Sequence, residues 1–149
     1  MKKYFNLREV NKGDWKVLLD WRNDKITRQN SFNSELVSES EHKEYIKNTI
    51  ASSNRKLFVL DYNDIPVGTI REDRLEQNEF ELSYTINPAY RRKKIGQIMI
   101  SLYLIDQSAS FICEVKSENI SSIKMIEKLG FKIFKVNKGV NFYKLKQID

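Results

Sequence analysis

The sequence predicts an α/β fold: one domain over residues 1–149, with a mixed central sheet of about seven strands and about four flanking helices. Three observations lead there. Apolar residues recur with period two in some stretches and at helical spacing in others. The segments follow the order β-α-α-β-β-β-α-β-α-β-β, hairpins first and then a strand–helix–strand–helix–strand passage that calls for parallel neighbours. No repeat, Pro/Gly-rich linker or low-complexity stretch divides the chain, and 149 residues suffice for a sizeable core.

Taken in order, "YFNLREV" (4–10) reads as a strand. "GDWKVLLDWRND" (13–24) reads as a short amphipathic helix, with Trp15, Leu18, Leu19 and Arg22 at helical spacing. "ITRQNSFNSELV" (26–37) is polar and lacks a period, so it is expected to be a loop with room for a short helical turn. Ser38 and Glu41 form a capping-box pattern that opens the next helix, on which His42 falls. "KLFVLDY" (56–62) and "PVGTIRED" (66–73) flank the turn-like "NDI" as a hairpin. "EFELSYTI" (79–86) alternates Phe80, Leu82, Tyr84 and Ile86 with polar residues, as a half-buried strand does. A helix is expected from about Lys93 to Gln107, its apolar side carrying Ile95, Ile98, Met99, Leu102 and Ile105. "FICEVK" (111–116) is a strand, and "NISSIKMIEKLG" (119–130) a helix with Ile120, Ile123, Ile126 and Leu129 inward and Gly130 at its C-terminal cap. "FKIFKV" and "NFYKLKQ" make a final hairpin.

Composition narrows the function. With 40% apolar and 11% aromatic residues the chain is globular. Its net charge of +6, 26 cations against 20 anions, attracts nucleic acid, a membrane surface or a phosphate-rich small molecule. Outside residues 91–94 the cations are dispersed, which leaves a nucleic-acid footprint weak. A single cysteine, Cys113, excludes an intramolecular disulfide and reads as a buried thiol. One histidine and one cysteine give no metal site, so no metal is expected. No signal peptide begins "MKKYFNLREV", and no segment approaches the roughly 20 apolar residues that span a bilayer, so a cytoplasmic protein is expected.

The sharpest feature is "NPAYRRKKIGQIMI" (87–100), where Arg91, Arg92, Lys93 and Lys94 crowd the start of a helix. A helix start already carries partial positive charge, so the concentration implies an anion. The first N–H groups of a helix have no intrahelical partner and point at what lies beyond it. Gly96 removes a side chain where a backbone must approach a ligand closely. No G-x-x-x-x-G-K-[ST] and no G-x-G-x-x-G occurs, which excludes a P-loop and a dinucleotide fingerprint.

"ELSYTINPAYRRKKIGQIMI" resembles the acyl-CoA pyrophosphate-binding segment of the GNAT superfamily of acetyl-CoA-dependent N-acetyltransferases, which reads [QR]-x-x-G-x-[GA] at this helix. Arg91 to Gly96 match in register, with Lys94 where the first glycine usually stands. "VKSENISSIKMIEKLGF" is similar to the family's next segment through Asn119, Ser122, Leu129, Gly130 and Phe131. The resemblance implies a GNAT-like fold, with acetyl-CoA as cosubstrate. Its pyrophosphate would lie on Arg91, Arg92, Lys93, Lys94, Ile95, Gly96 and Gln97, with Asn119 and Ser122 nearby. Tyr84, Thr85 and Ile86 would lend backbone groups to the pantetheine arm, and an N–H near Ile86 would receive the thioester oxygen.

Acetylating an amine requires that it be neutral, which a general base assists. Glu114 matches the base position of the ribosomal-protein acetyltransferases of the superfamily, and Glu81, on the preceding strand, is a second candidate. The family's acid, a tyrosine seven residues after the asparagine, is replaced by Ile126; Tyr143 and Tyr84 are substitutes, and the acid stays unassigned. "LLDWRNDKITRQNSFNSELVSESEHKEYI" resembles members that acetylate nucleotide-activated amino sugars, of the pseudaminic-acid pathway type. That implies acceptor contacts from Trp21, Arg22, Asn23, His42 and, through a G-x-x-R on the third strand, Arg71. A ribosomal or other protein amine is the alternative acceptor, and a non-catalytic acyl-CoA- or nucleic-acid-binding module is the alternative class. Superfamily members often pair through their C-terminal strands, which implies a homodimer.

Overall fold

The computed structural model describes residues 4–147. Seven strands form one sheet in the order β1-β2-β3-β4-β5-β7-β6. β1 (Phe5–Glu9), β2 (Arg55–Tyr62), β3 (Ile65–Glu76) and β4 (Glu79–Ile86) run antiparallel to one another, and β5 (Ser110–Lys116) is parallel to β4. β6 (Lys132–Asn137) and β7 (Val140–Lys146) complete it. β7 inserts antiparallel between β5 and β6, so the expected parallel neighbours exist at β4 and β5, while β5 and β6 do not touch. Two of the three hairpin turns use left-handed backbone: Asn63 and Asp64 at φ 49° and 69°, Lys138 and Gly139 at 50° and 77°. Such residues match the right-handed twist of the strands they join.

Among the described residues five α-helices flank the sheet: α1 (Trp15–Asn23), α2 (Lys25–Asn30), α3 (Glu39–Ala51), α4 (Ile95–Leu104) and α5 (Ile120–Lys128). Against the expected four, α2 is the addition. It buries no residue, and that is why no apolar period announced it. Ser38 caps α3 as expected, its side chain accepting from Glu41 N at 3.2 Å. One face of the sheet packs Met99 and Ile100 of α4 and Ile126 of α5 on Leu60, Val67, Ile70, Leu82 and Phe111. The other packs Leu18 and Trp21 of α1 and Ile46 of α3 on Leu57 and Val59. Each fully buried side chain of this kind stabilises the fold by about 1.5–3 kcal/mol. Ile105 and Ile120, expected inward, are exposed: the first lies beyond the last residue of α4, the second is the first residue of α5.

Candidate active site

β4 and β5 pair at three positions, Glu79 with Ser110, Phe80 with Phe111 and Glu81 with Ile112, and then part. Asn87 N donates to Val67 O of β3. By the alternation of an antiparallel ladder, odd residues of β4 are therefore bonded to β3, while the backbone groups of Leu82, Tyr84 and Ile86 face the gap. Tyr84 and Ile86 are thus where an extended arm would find backbone partners. Thr85 is not: its backbone belongs to β3 and it lines a pocket on the other face. Across the gap Tyr84 shares a hydrogen bond through its hydroxyl with Ser122 of α5, and burial pushes the phenol well above its ordinary range. Asn119 caps α5, accepting from Ser122 N at 3.3 Å.

Glu81 and Glu114 stand where the strands part. Glu81 is the last paired residue of β4, and Glu114 lies two residues past its partner Ile112, on the same face. Burial first, and then Glu114 beside it, push the Glu81 carboxyl up to about 7. Glu81 is half-buried and Glu114 exposed. Of the two substitute acids, Tyr143 is 1% exposed and occupied, donating to Glu127 Oε2 at 3.3 Å and accepting from Asn141 Nδ2 at 3.2 Å. Ile126, at the usual tyrosine position, is 0% exposed in the core.

The turn before α4 places Arg92, Lys93 and Lys94 in solvent, with Arg92 and Lys94 in left-handed backbone at φ 63° and 61°. The glycine of the family pattern is explained by this conformation, which Lys94 adopts as the N-cap of α4. Arg91 differs from its neighbours. Its Nη2 donates to Asp24 Oδ2 and, at 3.1 Å, to Thr27 Oγ1. Gly96 is buried, and what approaches it is α5: a Cβ there would stand 2.6 Å from Met125 Sδ. Its missing side chain seats Met125, a correction to the expectation that it clears space for a ligand. Gln97 is half-buried in the first turn of α4.

A cavity of about 320 Å³ lies on the α1–α3 face, bounded by Arg22, His42, Tyr45, Arg71, Ser83 and Thr85 among others. His42 is buried at 6% exposed. Burial and then Arg22 hold its imidazole below its ordinary pKa. Burial works against the charge of Arg71, yet Tyr45, Asp73 and Glu81 around it hold it above its ordinary value. Arg71 Nε is 3.0 Å from Asp73 Oδ2 but off the line of a hydrogen bond. Together with Arg22 Nη1 and His42 Nε2 it is a buried polar atom without a hydrogen-bond partner among the described residues.

The pocket gathers three of the five expected acceptor residues. Trp21 is a correction: at 4% exposed its ring fills the core with Leu18, Ile46, Leu57 and Val59, and it has no face left for a ligand. Asn23 is another, since its side chain is consumed by Val37, donating to the carbonyl and accepting from the amide, each at 2.8 Å. Tyr45 was missed, although it sits one helical turn after His42. Thr69 was missed although it shares a strand face with Arg71 two residues on, and Ser83 because the β3–β4 pairing that brings it to Arg71 is not a local signal. Among the described residues no cluster of His, Cys, Asp and Glu could hold a metal, and no helix is long and apolar enough to cross a membrane.

Comparison with known proteins agrees with this geometry. The structure resembles that of the spermidine N-acetyltransferase of Vibrio cholerae in complex with CoA and spermine, at a TM-score of 0.85 and 19% identity, covering 96% of this chain and 95% of that one. A putative acetyltransferase of Salmonella typhimurium with its cofactor acetyl-CoA gives 0.77 and 18%, over 95% and 93% of the two chains. A ribosomal L7/L12 alpha-N-protein acetyltransferase in complex with coenzyme A gives 0.79 and 14%, over 96% and 94%. No curated protein sequence matches the chain. Identities this low show a shared fold. The family itself is shown by the acetyltransferase (GNAT) domain model, which matches residues 5–132, and the chain belongs to that family.

Proposed function

We propose that this protein moves the acetyl group of acetyl-CoA onto a primary amine, and that the amine belongs to a nucleotide-linked amino sugar. The observation that carries the first part is the parting of β4 from β5 with Glu81 and Glu114 at the fork, on the face that holds the pocket. Acetyl-CoA fits the residues present: exposed Arg92, Lys93 and Lys94 at the helix start for its pyrophosphate, and the unpaired backbone of Tyr84 and Ile86 for its amide-bearing arm. When bound, it supplies the activated acyl group.

The residues then divide the work. Ile86 N–H, facing the gap, donates to the thioester oxygen as negative charge grows there. Glu81 accepts a proton from the attacking amine while the new C–N bond forms and the C–S bond breaks. Burial, and then Glu114 beside it, raise the proton affinity of Glu81 to a value suited to neutral pH. The sulfur leaves as a thiolate and is protonated by solvent, which is feasible because thiols ionise near pKa 8.5.

The acceptor assignment is supported by the pocket wall. Arg22 and Arg71 with His42 favour a molecule that brings anionic groups, and a guanidinium holds a diphosphate through paired N–H donors. A cytoplasmic setting and a homodimer belong to the same proposal. The support for the homodimer is the exposed Ile133, Phe134 and Val136 of β6, an edge strand of the sheet. The test is calorimetric titration with acetyl-CoA, followed by thiol release with UDP- and dTDP-amino sugars, spermidine and an N-terminal ribosomal-protein peptide. Turnover is expected with the nucleotide-linked amines, with the acceptor KM raised about tenfold in Arg22→Gln or Arg71→Gln. Preference for spermidine or the peptide would refute the acceptor. Absence of acetyl-CoA binding would refute the whole reading.

A further inference from the structure

α2 is held in place almost wholly by polar ties, since none of its residues is buried. Asp24, at once the C-cap of α1 and the N-cap of α2, accepts from Thr27 N at 3.0 Å and from Arg91 Nη2. At the other end Lys116 Nζ donates to Gln29 O at 2.9 Å, from the strand that carries Glu114. One anchor thus comes from the cation cluster before α4 and the other from β5. On its opposite side the same segment shapes the acceptor pocket. Arg22 Nη2 donates to Asn33 O at 2.7 Å, Arg28 Nε to Asn23 O at 3.1 Å, and Asn23 brackets Val37. Arg22 and Val37 line the cavity.

Arg91 is the residue at which these two sides meet. Asp24 and Thr27 engage its Nη2 alone among the described residues, whereas a guanidinium carries five N–H donors. Nε and Nη1 remain for a phosphate as single donors, since each paired edge of the guanidinium includes the Nη2 that Asp24 and Thr27 occupy. Resting on the acetyl-CoA reading above, we infer that Asp24 is a positioning residue: Arg91 holds Asp24 through Nη2 and donates to the pyrophosphate through Nη1 or Nε, so that acetyl-CoA binding fixes residues 22–37 and with them the acceptor pocket. Asp24 does not line the pocket. It acts through Arg91, and the burial-opposed ionisation that Arg91 and Thr27 impose on it keeps it charged through the neutral range.

Hydrogen exchange read by mass spectrometry on the full chain, with and without saturating CoA, tests this. In the wild type CoA is expected to slow exchange in 91–98 and also, by about tenfold, in 24–37, a coupling of the usual allosteric size. In Asp24→Asn the cap of α2 is kept, because asparagine caps a helix as well as aspartate. There CoA should still protect 91–98, with its Kd within about threefold of wild type, while the protection of 24–37 is lost. Arg91→Lys is the second variant; it keeps the charge, loses the separate nitrogens that would hold Asp24 and the phosphate at once, and should uncouple in the same way. Equal protection of 24–37 in wild type and both variants would overturn the inference, as would a wild type protected at 91–98 only. If CoA neither binds nor protects 91–98, the acetyl-CoA reading itself fails and the inference falls with it.

Discussion

Replacing Glu114 by glutamine tests the proposed division of labour between the two carboxylates. Glu81 sits at about 7 because burial disfavours its charge and Glu114 adds to that. Glutamine removes the second cause and leaves the first. A like charge at this range is worth a unit or more, so the acid limb of kcat/KM should move from about 7 to about 6 or below. The sign follows from the role: a base works deprotonated, so activity falls as the pH drops below the pKa of Glu81. At pH 6 the active fraction is about one-tenth in the wild type and about one-half in Glu114→Gln, a gain of roughly fivefold relative to each plateau. The assay is thiol release from acetyl-CoA between pH 5 and 9 with one amine. The amine's own titration is common to all variants. Glu81→Gln should abolish the limb. An unmoved limb in Glu114→Gln, or a surviving one in Glu81→Gln, would refute the assignment. Stability follows the same linkage: the folded pKa of Glu81 exceeds its ordinary 4.5, so its contribution is lost as the pH climbs from 4.5 to 7.

Lys94→Gly relieves a left-handed residue worth about 1–2 kcal/mol and adds glycine's unfolded-state freedom of about 0.5–1 kcal/mol. The urea midpoint should therefore rise by the equivalent of about 0.5–1 kcal/mol, while acetyl-CoA affinity falls modestly at low salt; a lower midpoint would show that the lysine side chain holds the turn. Gly96→Ala should lower stability by about 1–2 kcal/mol, because its Cβ meets Met125 Sδ at 2.6 Å. Adding Met125→Ala should cost less than the two single changes together, and strict additivity in denaturant unfolding would place the conflict elsewhere.

What could be read from the chain depended on how local each signal is. β4 was placed at its observed ends because alternation is a property of neighbouring residues. α4 begins two residues later than expected, since a left-handed lysine carries no mark in the sequence. α2 gave no periodic signal because none of its residues is buried and its ties to the rest of the fold are hydrogen bonds. The cation cluster was legible, but not that Asp24, 67 positions earlier, claims its first member. Glu81 and Glu114 were each nameable alone. Their contact depends on the parallel register of β4 and β5, and that register fixes which of them is half-buried. Trp21 and Asn23 were assigned through a shared segment; the fold turns one into the core and spends the other on Val37.

The parting of β4 from β5 also bears on how the site tolerates change. Over Leu82, Tyr84 and Ile86 the sheet is unfinished, and an extended amide-bearing ligand would complete it as a further strand does, through main-chain groups that every residue type except proline provides. Drift in side chains along this edge therefore leaves the grip on such an arm nearly intact. On the proposed reading, selectivity among acyl donors falls instead to the space beyond the arm's end. Enlarging that space is the economical route to a relative that accepts a longer acyl chain.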